Sequence, residues 1–307
     1  MSGRPWTSYE SALADLASAD ERIIVMTAEN RAAIRGLPAT LGERFIDTGI
    51  NEQTLVGAAA GLALRGRIPV VHALATFLTM RAFEFIRTDV GLPALPVKLI
   101  GSVPGLLSEA NGPTHQALED VALMRAIPGM RVFSPGDEAD LLLGLPAVLA
   151  DDSPWYVRLN TRLAGVAHEP FAVGKAEVLR EGSDAGILVS GTLLREAARA
   201  AELLAGAGIS TRVVNVRTIE PLDERTVLET VGQCRRVVTV EDHFVRGGLF
   251  SAVAELMARD GVPGYVTAIG LEQRWFRPAL LPDVLAGTGL RGDLLADRIR
   301  GLVELAG

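Results

Sequence analysis

A single carboxylate, Glu52, stands at the start of a small-residue, apolar helical stretch. The segment is RFIDTGINEQTLVGAAAGLAL, residues 44–64, and a strand-like run precedes Glu52. On position alone, a carboxylate in the first turn of a helix interacts with the helix dipole, which contributes about 0.3–1 kcal/mol. The glycines and alanines that follow leave a face that another backbone can approach closely. We therefore expect a tightly packed interface in which Glu52 is buried, can stay protonated near neutrality and acts as a proton donor.

The histidines are the other candidate acid–base residues. His72, His115, His168 and His243 are too scattered to form a metal-ligand cluster by spacing. His115 follows a Gly-Pro pair in EANGPTHQ, which predicts a tight turn with little freedom. His72, on an apolar strand, suits a core position as well as a site wall. We interpret His168 as a surface-loop residue and His243 as a structural or peripheral one.

Composition and charge narrow the function classes. The chain has 307 residues, 49% hydrophobic and 22% charged, which predicts a folded protein of about two domains. A net charge of -7 without Lys/Arg-rich runs argues against nucleic-acid binding. The single cysteine, Cys234, cannot form an internal disulfide; we interpret it as a packing residue and expect a reducing, cytoplasmic location. We predict neither a signal peptide nor a membrane span, which needs ~18 apolar residues.

Short β-rich runs alternate with helical patterns along the whole chain. This pattern predicts an α/β fold of two three-layer α/β/α domains with mostly parallel sheets. Strands of the first half are predicted in RIIVMTA, RFIDTGI, IPVVHAL, VKLIGSV, MRVFSP and WYVRL. Helices are predicted to begin near Glu52, Met80, Gln116 and Asp137, with Ser134 or Asp137 capping the last.

The pattern lapses after Arg162, where a Gly-rich, polar stretch contains at most a short hairpin around GKAEVLR. We place the first domain at residues 1–165, a linker at 166–182 and the second domain at 183–307. Strands of the second domain are predicted in AGILVSG, STRVVNVRT, RRVVTVED and GYVTAIG. The helices between them end on glycine, as is typical of helix C-caps.

Three blocks of sequence, in order and at matching spacing, resemble the transketolase family. They are GINEQTLVGAAAGLAL, IPVVHALATFLTMRAFEFIR and EANGPTHQALEDVALMRAIPGM. They are similar to the pyrimidine-binding half of transketolase and of its relative deoxyxylulose-phosphate synthase. VVTVEDHFVRGGLFSAV extends the resemblance to the transketolase C-terminal domain, and so to almost the whole chain. The resemblance implies an enzyme that uses thiamine diphosphate.

The resemblance also implies roles for individual residues. Glu52 would hydrogen-bond the aminopyrimidine ring of thiamine diphosphate and stabilise its imino tautomer, which activates the cofactor. Phe77 would stack on this ring. Arg81 would bind the cofactor, although the family varies in the spacing between this phenylalanine and the following Arg-Ala-Phe. His115 would contact oxygen atoms of the substrate and orient it.

Further substrate-binding residues are implied in the same way. Asn111 stands where the family usually has an aspartate that reads a donor hydroxyl; an amide keeps the hydrogen bonding but loses the charge. Arg158 and Arg162 resemble family arginines that bind a substrate phosphate. Their spacing differs by one residue from that of the family. The alternative is that they are exposed surface residues. His72 is included as a residue of the site wall.

The resemblance implies a partner subunit as well. The family's N-terminal domain holds Mg²⁺ and the diphosphate through a GDG motif, which does not occur here. The chain starts directly at the pyrimidine-binding half, and we interpret its MSGRPW start as a natural one. We predict the small subunit of a split transketolase, whose GDG-bearing partner supplies the Mg²⁺ ligands. Two copies of each chain would associate near helix 52–64.

The implied reaction transfers a two-carbon ketol unit from a ketose phosphate to an aldose. Two alternatives stay open. In the first, the two-chain enzyme is a 2-oxo-acid decarboxylating ligase of the deoxyxylulose-phosphate synthase or dehydrogenase β-subunit type, which Asn111 keeps in consideration. The chain would otherwise be a non-catalytic assembly subunit, but the intact Glu52 and the THQ turn count against this.

Overall fold

The computed structural model describes residues 6–305 as an α/β protein. Its strands are β1 (Ile23–Thr27), β2 (Phe45–Asp47), β3 (Ile68–Leu74), β4 (Lys98–Ser102), β5 (Arg131–Phe133), β6 (Trp155–Leu159), β7 (Glu177–Arg180), β8 (Ala185–Ser190), β9 (Thr211–Asn215), β10 (Thr218–Glu220), β11 (Arg236–Phe244) and β12 (Val266–Leu271). Its α-helices are α1 (Tyr9–Ala19), α2 (Leu37–Leu41), α3 (Glu52–Ala63), α4 (Phe83–Phe85), α5 (Asp120–Arg125), α6 (Glu138–Ala150), α7 (Leu194–Gly206), α8 (Glu224–Gln233), α9 (Leu249–Asp260), α10 (Leu281–Thr288) and α11 (Gly292–Glu304). Wider π-helical segments, Phe77–Arg81 and Ile86–Gly91, flank α4.

The strands form two mostly parallel sheets. The first has seven strands in the order β10-β5-β6-β4-β3-β1-β2, and the second has five in the order β12-β11-β8-β9-β7. One strand in each sheet is antiparallel to its neighbour: β10 beside β5, and β7 beside β9. Helices lie on both faces of each sheet, which explains the nearly continuous apolar runs of the central strands. The predicted α/β fold class is therefore confirmed.

Side chains alternate between the two faces of the first sheet, as the twofold period of a strand requires. In β1, Ile24 and Met26 pack with the helix α3, whereas Ile23 and Val25 pack with α1 and α6. The core beneath α3 and α5 continues without a break into the core beneath α8 and α9. The two sheets thus share one hydrophobic cluster.

All ten strands predicted from the sequence overlap a strand of the structure. The helix α6 begins where expected, and of the two proposed caps Asp137 accepts a hydrogen bond from the Asp140 amide at 2.9 Å. The helix α5 begins at Asp120 rather than near Gln116, because Ala117 still pairs with Gly105 in a β-bridge. The predicted hairpin around GKAEVLR is wrong, since β7 pairs with the distant β9 instead.

The sheets cross the proposed domain limits in two places. The strand β7 lies within residues 166–182, and β10 returns from the second half of the chain to complete the first sheet. The outermost parts of both proposed domains, residues 1–5 and 306–307, lie outside the described residues. The limits at 165 and 183 stay predictions.

A buried charge cluster joins the two halves. The His168 ring lies 2.8 Å from a Glu177 carboxylate oxygen and 3.1 Å from one of Asp137. Arg217 lies 2.8 Å from Asp140 and 3.0 Å from Glu177. The interpretation of His168 as a surface residue is wrong, because its side chain is only 1% exposed. Burial lowers the pKa of His168, but hydrogen bonds to the two carboxylates outweigh it and raise the pKa to about 10.

This charge cluster predicts a loss of stability at alkaline pH. The protonated His168 contributes fully below its usual pKa of 6.5, and the contribution disappears as the pH rises through about 10. We expect the free energy of unfolding of the wild type, relative to His168→Gln, to fall by roughly 1–3 kcal/mol across this window. Urea denaturation at several pH values measures it. A constant difference between the two proteins would contradict the prediction.

Candidate functional site

The helix α3 places Glu52 at its first position. Asn51 caps the helix, since its side-chain oxygen accepts a hydrogen bond from the Thr54 amide at 3.1 Å. The Glu52 residue is 2% exposed, and its Oε2 accepts a hydrogen bond from Arg81 Nη1 at 2.8 Å. Its Oε1 has no hydrogen-bond partner among the described residues. A buried carboxyl group thus offers one oxygen to a ligand.

The π-helical segment that follows β3 brings Phe77 and Arg81 together. Its turn is closed by a hydrogen bond from the Ala82 amide to the Phe77 carbonyl at 3.3 Å, which spans one residue more than an α-helical turn. The Arg81 guanidinium carbon lies 4.3 Å from the centroid of the Phe77 ring, in cation–π geometry. Arg81 therefore contacts both Glu52 and Phe77.

The turn at residues 112–116 carries His115 to the same place. Its ring centroid lies 5.0 Å from that of Phe77, and the planes are inclined at 68°. Thr114 Oγ1 lies 2.9 Å from His115 Nδ1, which leaves Nε2 as the free ring nitrogen. Thr76 Oγ1 donates to the Gln116 carbonyl at 2.9 Å and so ties this turn to the π-helical segment. We call Glu52, Phe77, Arg81 and His115 the Glu52 cluster.

The second half of the chain supports the same turn. Gly112 has φ +65, and a Cβ atom there would lie 2.7 Å from Pro278 Cγ, so only glycine fits. The Ala279 amide donates to the Glu109 carbonyl at 3.1 Å, and the Leu281 amide donates to Glu109 Oε1 at 2.8 Å. The backbone around His115 is thereby clamped from the side of α10.

His72 does not join the Glu52 cluster. It is buried beneath α1, where its Nε2 lies 2.8 Å from the Tyr9 hydroxyl and its Nδ1 lies 3.3 Å from the Met26 carbonyl. Burial lowers the pKa of His72 to about 4, so the ring is neutral at physiological pH. The sequence left two positions open for His72, in the core or in the site wall. The structure shows the core position.

Arg158 is also bound elsewhere, between the two halves of the chain. Its Nε donates to Asp120 at 3.0 Å and its Nη1 donates to Asp242 at 2.6 Å, while its side chain is 3% exposed. A guanidinium paired with two buried carboxylates has little surface left for a phosphate. The prediction that Arg158 binds substrate therefore has no support from its position.

Arg162 and Asn111 are exposed. Arg162 lines a cavity of about 420 Å³ at the carboxyl ends of β4 and β6, beside Ser102 and Leu159. Ligands of open α/β sheets bind at this edge. Asn111 immediately precedes the short 3-10 turn Gly112–Thr114. Both side chains are free to meet a ligand, and their substrate-binding roles stay predictions.

The VEDH segment, residues 240–243 on β11, contacts the helices α9 and α5. Glu241 accepts hydrogen bonds from the amides of Leu249 and Phe250 in the first turn of α9, at 2.6 and 2.9 Å, and burial raises its pKa to about 8. His243 Nε2 accepts from the Ala122 amide at 3.3 Å. The structural interpretation of His243 agrees with this buried position.

Two family models match the chain in succession. "Transketolase, pyrimidine binding domain" matches residues 5–166, and "Transketolase, C-terminal domain" matches residues 174–293. The chain belongs to the transketolase family. The resemblance drawn from the three sequence blocks is thus confirmed.

Curated transketolase relatives include both split and longer chains. The chain is 41% identical to the 6-deoxy-6-sulfo-D-fructose transketolase subunit SqwH of Clostridium sp. (strain MSTE9), over 82% of this chain and 80% of that one. It is 34% identical to a putative transketolase C-terminal section of Methanocaldococcus jannaschii, over 95% and 93%. It is 38% identical to 1-deoxy-D-xylulose-5-phosphate synthase of Synechococcus sp. (strain JA-3-3Ab), of which it spans 46%.

Solved transketolase structures have the same fold. A structure described as "Split gene transketolase, inactive beta4 tetramer" has a TM-score of 0.86 at 33% identity, covering 97% of each chain. A transketolase from Pichia stipitis has a TM-score of 0.78 at 18% identity and is covered to 44%. This second likeness shows the fold alone.

Within residues 6–305, no three His, Cys, Asp or Glu side chains are grouped as metal ligands would be. In that same part of the chain, no helix combines the length and the apolar character that crossing a membrane requires.

Sequence reasoning missed Thr76, Thr114 and Pro278, which position the Glu52 cluster. Their contacts depend on chain segments meeting in space, and the one local signal is that Thr76 directly precedes Phe77 in the sequence.

Arg158 is buried and Arg162 is exposed, so we expect their substitution to affect the free energy of unfolding differently. Arg158→Met leaves the buried carboxylates of Asp120 and Asp242 without their cation, so we expect a loss of roughly 3–5 kcal/mol in the free energy of unfolding. Arg162→Met, at an exposed position, is the matched control and should change it by less than about 0.5 kcal/mol. Urea denaturation compares the two. Equal stability of the two variants would show that Arg158 is not a structural ion-pair residue.

Proposed function

We propose that the chain is the small subunit of a two-chain, thiamine-diphosphate-dependent transketolase. It would transfer a two-carbon ketol unit from a ketose phosphate or a related anionic ketose to an aldose. The Glu52 cluster carries this proposal: the buried Glu52 carboxyl group and the Phe77 ring both contact Arg81, and His115 lies against the Phe77 ring. These groups fit an aminopyrimidine, which needs a carboxyl group to hydrogen-bond its ring and an aromatic surface for stacking.

The residues of the cluster then have distinct tasks. Bound thiamine diphosphate supplies the electron sink for breaking a carbon–carbon bond. Glu52 holds the aminopyrimidine ring through its carboxyl group, and Phe77 supports the ring by stacking. His115, with Nδ1 engaged by Thr114, presents Nε2 to an oxygen atom of the substrate. Asn111 and Arg162 lie at exposed positions from which they can select the substrate.

The proposal includes a partner subunit that carries the GDG motif, the diphosphate site and the Mg²⁺ ligands. Relatives described as a transketolase subunit and as a split-gene transketolase support it. Self-association is proposed across residues 52–64, where Thr54, Ala58 and Gly61 are exposed on one face and Leu64 is 70% exposed. Residues 1–165 would form the pyrimidine-binding domain, 166–182 the linker and 183–307 the C-terminal domain, in the cytoplasm.

The substrate class has two candidates. The relative from Clostridium is named for 6-deoxy-6-sulfo-D-fructose, which favours a ketose with an anionic group as donor. The 38% identity to 1-deoxy-D-xylulose-5-phosphate synthase, with Asn111 in place of the usual aspartate, favours a 2-oxo acid. Product analysis with 6-deoxy-6-sulfo-D-fructose, xylulose 5-phosphate and pyruvate separates the two. Turnover with none of them would favour a non-catalytic assembly subunit.

Substitution of Glu52 tests the catalytic assignment. Glu52→Gln keeps the shape and an acceptor for Arg81 but removes the acid, so we expect turnover of the assembled complex to fall by about 100-fold or more. Unfolding in urea should stay cooperative. The control is Glu84→Gln, at an exposed position on α4, which should retain wild-type turnover. Full activity of Glu52→Gln would rule out Glu52 as the catalytic acid.

Calorimetry with thiamine diphosphate and Mg²⁺ tests the divided cofactor site. We expect no tight binding to this chain alone, because the ligands of the diphosphate are assigned to the partner. Binding should appear once the GDG-bearing chain is added. Tight binding by the isolated chain would mean that it holds the diphosphate itself, and the two-chain account would then fail.

A further inference from the structure

We propose that in the free chain Arg81 occupies the place of the cofactor's aminopyrimidine ring, and that its side chain must leave when the cofactor binds. The inference rests on the proposed function. It is carried by two contacts of one side chain: Arg81 Nη1 lies 2.8 Å from Glu52 Oε2, and the Arg81 guanidinium carbon lies 4.3 Å from the Phe77 ring centroid. These are the hydrogen-bonding and stacking contacts assigned to the aminopyrimidine.

The chemistry of the two groups is alike. A guanidinium is planar, donates hydrogen bonds from its edge to a carboxylate and stacks on an aromatic ring. An aminopyrimidine is planar too, and it can hydrogen-bond a carboxyl group from its edge while stacking on an aromatic ring, with its ring nitrogen accepting and its amino group donating. A group that bridges Glu52 Oε2 and the Phe77 ring, as Arg81 does, requires the space that the Arg81 guanidinium fills. Occupation by one therefore excludes the other.

The surroundings of Phe77 strengthen this argument. The His115 ring is inclined at 68° to the Phe77 ring, with the two ring centroids 5.0 Å apart. Arg81 covers the face from which Glu52 is also reached, as its contact with both residues shows. The place beside Glu52 is thus the one that satisfies both contacts.

Burial explains why the free chain keeps Arg81 there. The Glu52 side chain is 3% exposed, and a buried carboxylate without a cation is costly. The Arg81 side chain is 43% exposed, so it can turn into the solvent without leaving a cavity in the core. Arg81 pairs with Glu52 until the ring replaces it. The apparent affinity for the ring is reduced by the fraction of chains in which Arg81 still occupies the site.

The full-length free chain allows a direct test with a small probe. Arg81→Met removes the planar cation and keeps an unbranched side chain. Binding of 4-amino-5-hydroxymethyl-2-methylpyrimidine, measured by ligand-observed NMR, should be about tenfold tighter to Arg81→Met than to the wild type. Adding Glu52→Gln to Arg81→Met should abolish this gain. The matched control is Arg87→Met, at an exposed arginine of the second π-helical segment, which should bind like the wild type.

The outcomes separate this inference from the proposed function. Equal or weaker binding of the probe by Arg81→Met would overturn it, since Arg81 would then assist the ring or be irrelevant to it. If Arg81→Met fails to fold, Arg81→Lys serves, because lysine keeps the charge but lacks the planar fork and should still bind the probe more tightly. If the wild-type complex binds thiamine diphosphate while neither variant gains affinity, only this inference fails. If the complex does not bind thiamine diphosphate at all, the proposed function fails.

Discussion

The position of the Glu52 cluster depends on the buried pairing of Arg158 with two carboxylates, one from each half of the chain. Arg158, on β6, reaches Asp120 at the start of α5 and Asp242 on β11. Asp120 follows directly on the segment that carries His115, so the pair fixes the end of that segment. Both partners and the guanidinium are removed from solvent, where an unpaired charge is costly. The two sheets are therefore held in one arrangement rather than sliding past each other.

Three separate segments meet around this fixed frame, and each is constrained in its own way. The helix α3 is started by Asn51, the π-helical segment is tied by Thr76, and the turn with His115 needs a glycine beneath Pro278. No segment holds more than two of the four residues of the Glu52 cluster. The mutual positions of Glu52, Phe77 and His115 are consequently a property of the tertiary fold, and they are set before any ligand arrives.

Much of the fold was predictable because its signals are local. Buried parallel strands such as β3 and β8 are apolar, β-branched runs, and Asp137 is a typical N-cap. The pairing of β10 with β5, by contrast, has no signal in either segment. His168 lies in a polar, Gly-rich stretch. Its partner Asp137 is distant in sequence, and no periodic pattern links it to its partner Glu177. Long-range charge pairing is therefore what the sequence could not reveal.

The candidate site was predictable to a different degree. Glu52, Phe77 and His115 were selected through resemblance, with Glu52 also selected by its place at the helix start. The contact between Arg81 and Phe77 depends on a π-helical turn, and a one-residue change in register would move Arg81 away from the ring. Arg158 matched the same family block as Arg162, yet burial gave it another environment. Type and spacing cannot separate two such arginines, because burial is decided by the whole fold.

Because β10 lies in the second half of the chain, the first sheet cannot be completed until much of that half has been synthesised. When residues 1–165 have emerged from the ribosome, six strands of the first sheet are available. The outer edge of β5 has no neighbouring strand until residues 218–220 emerge. An open strand edge invites pairing with other chains. The first half is thus exposed to misassembly while most of the second half is still being made. Completion of the sheet is coupled to the arrival of a segment from the other half.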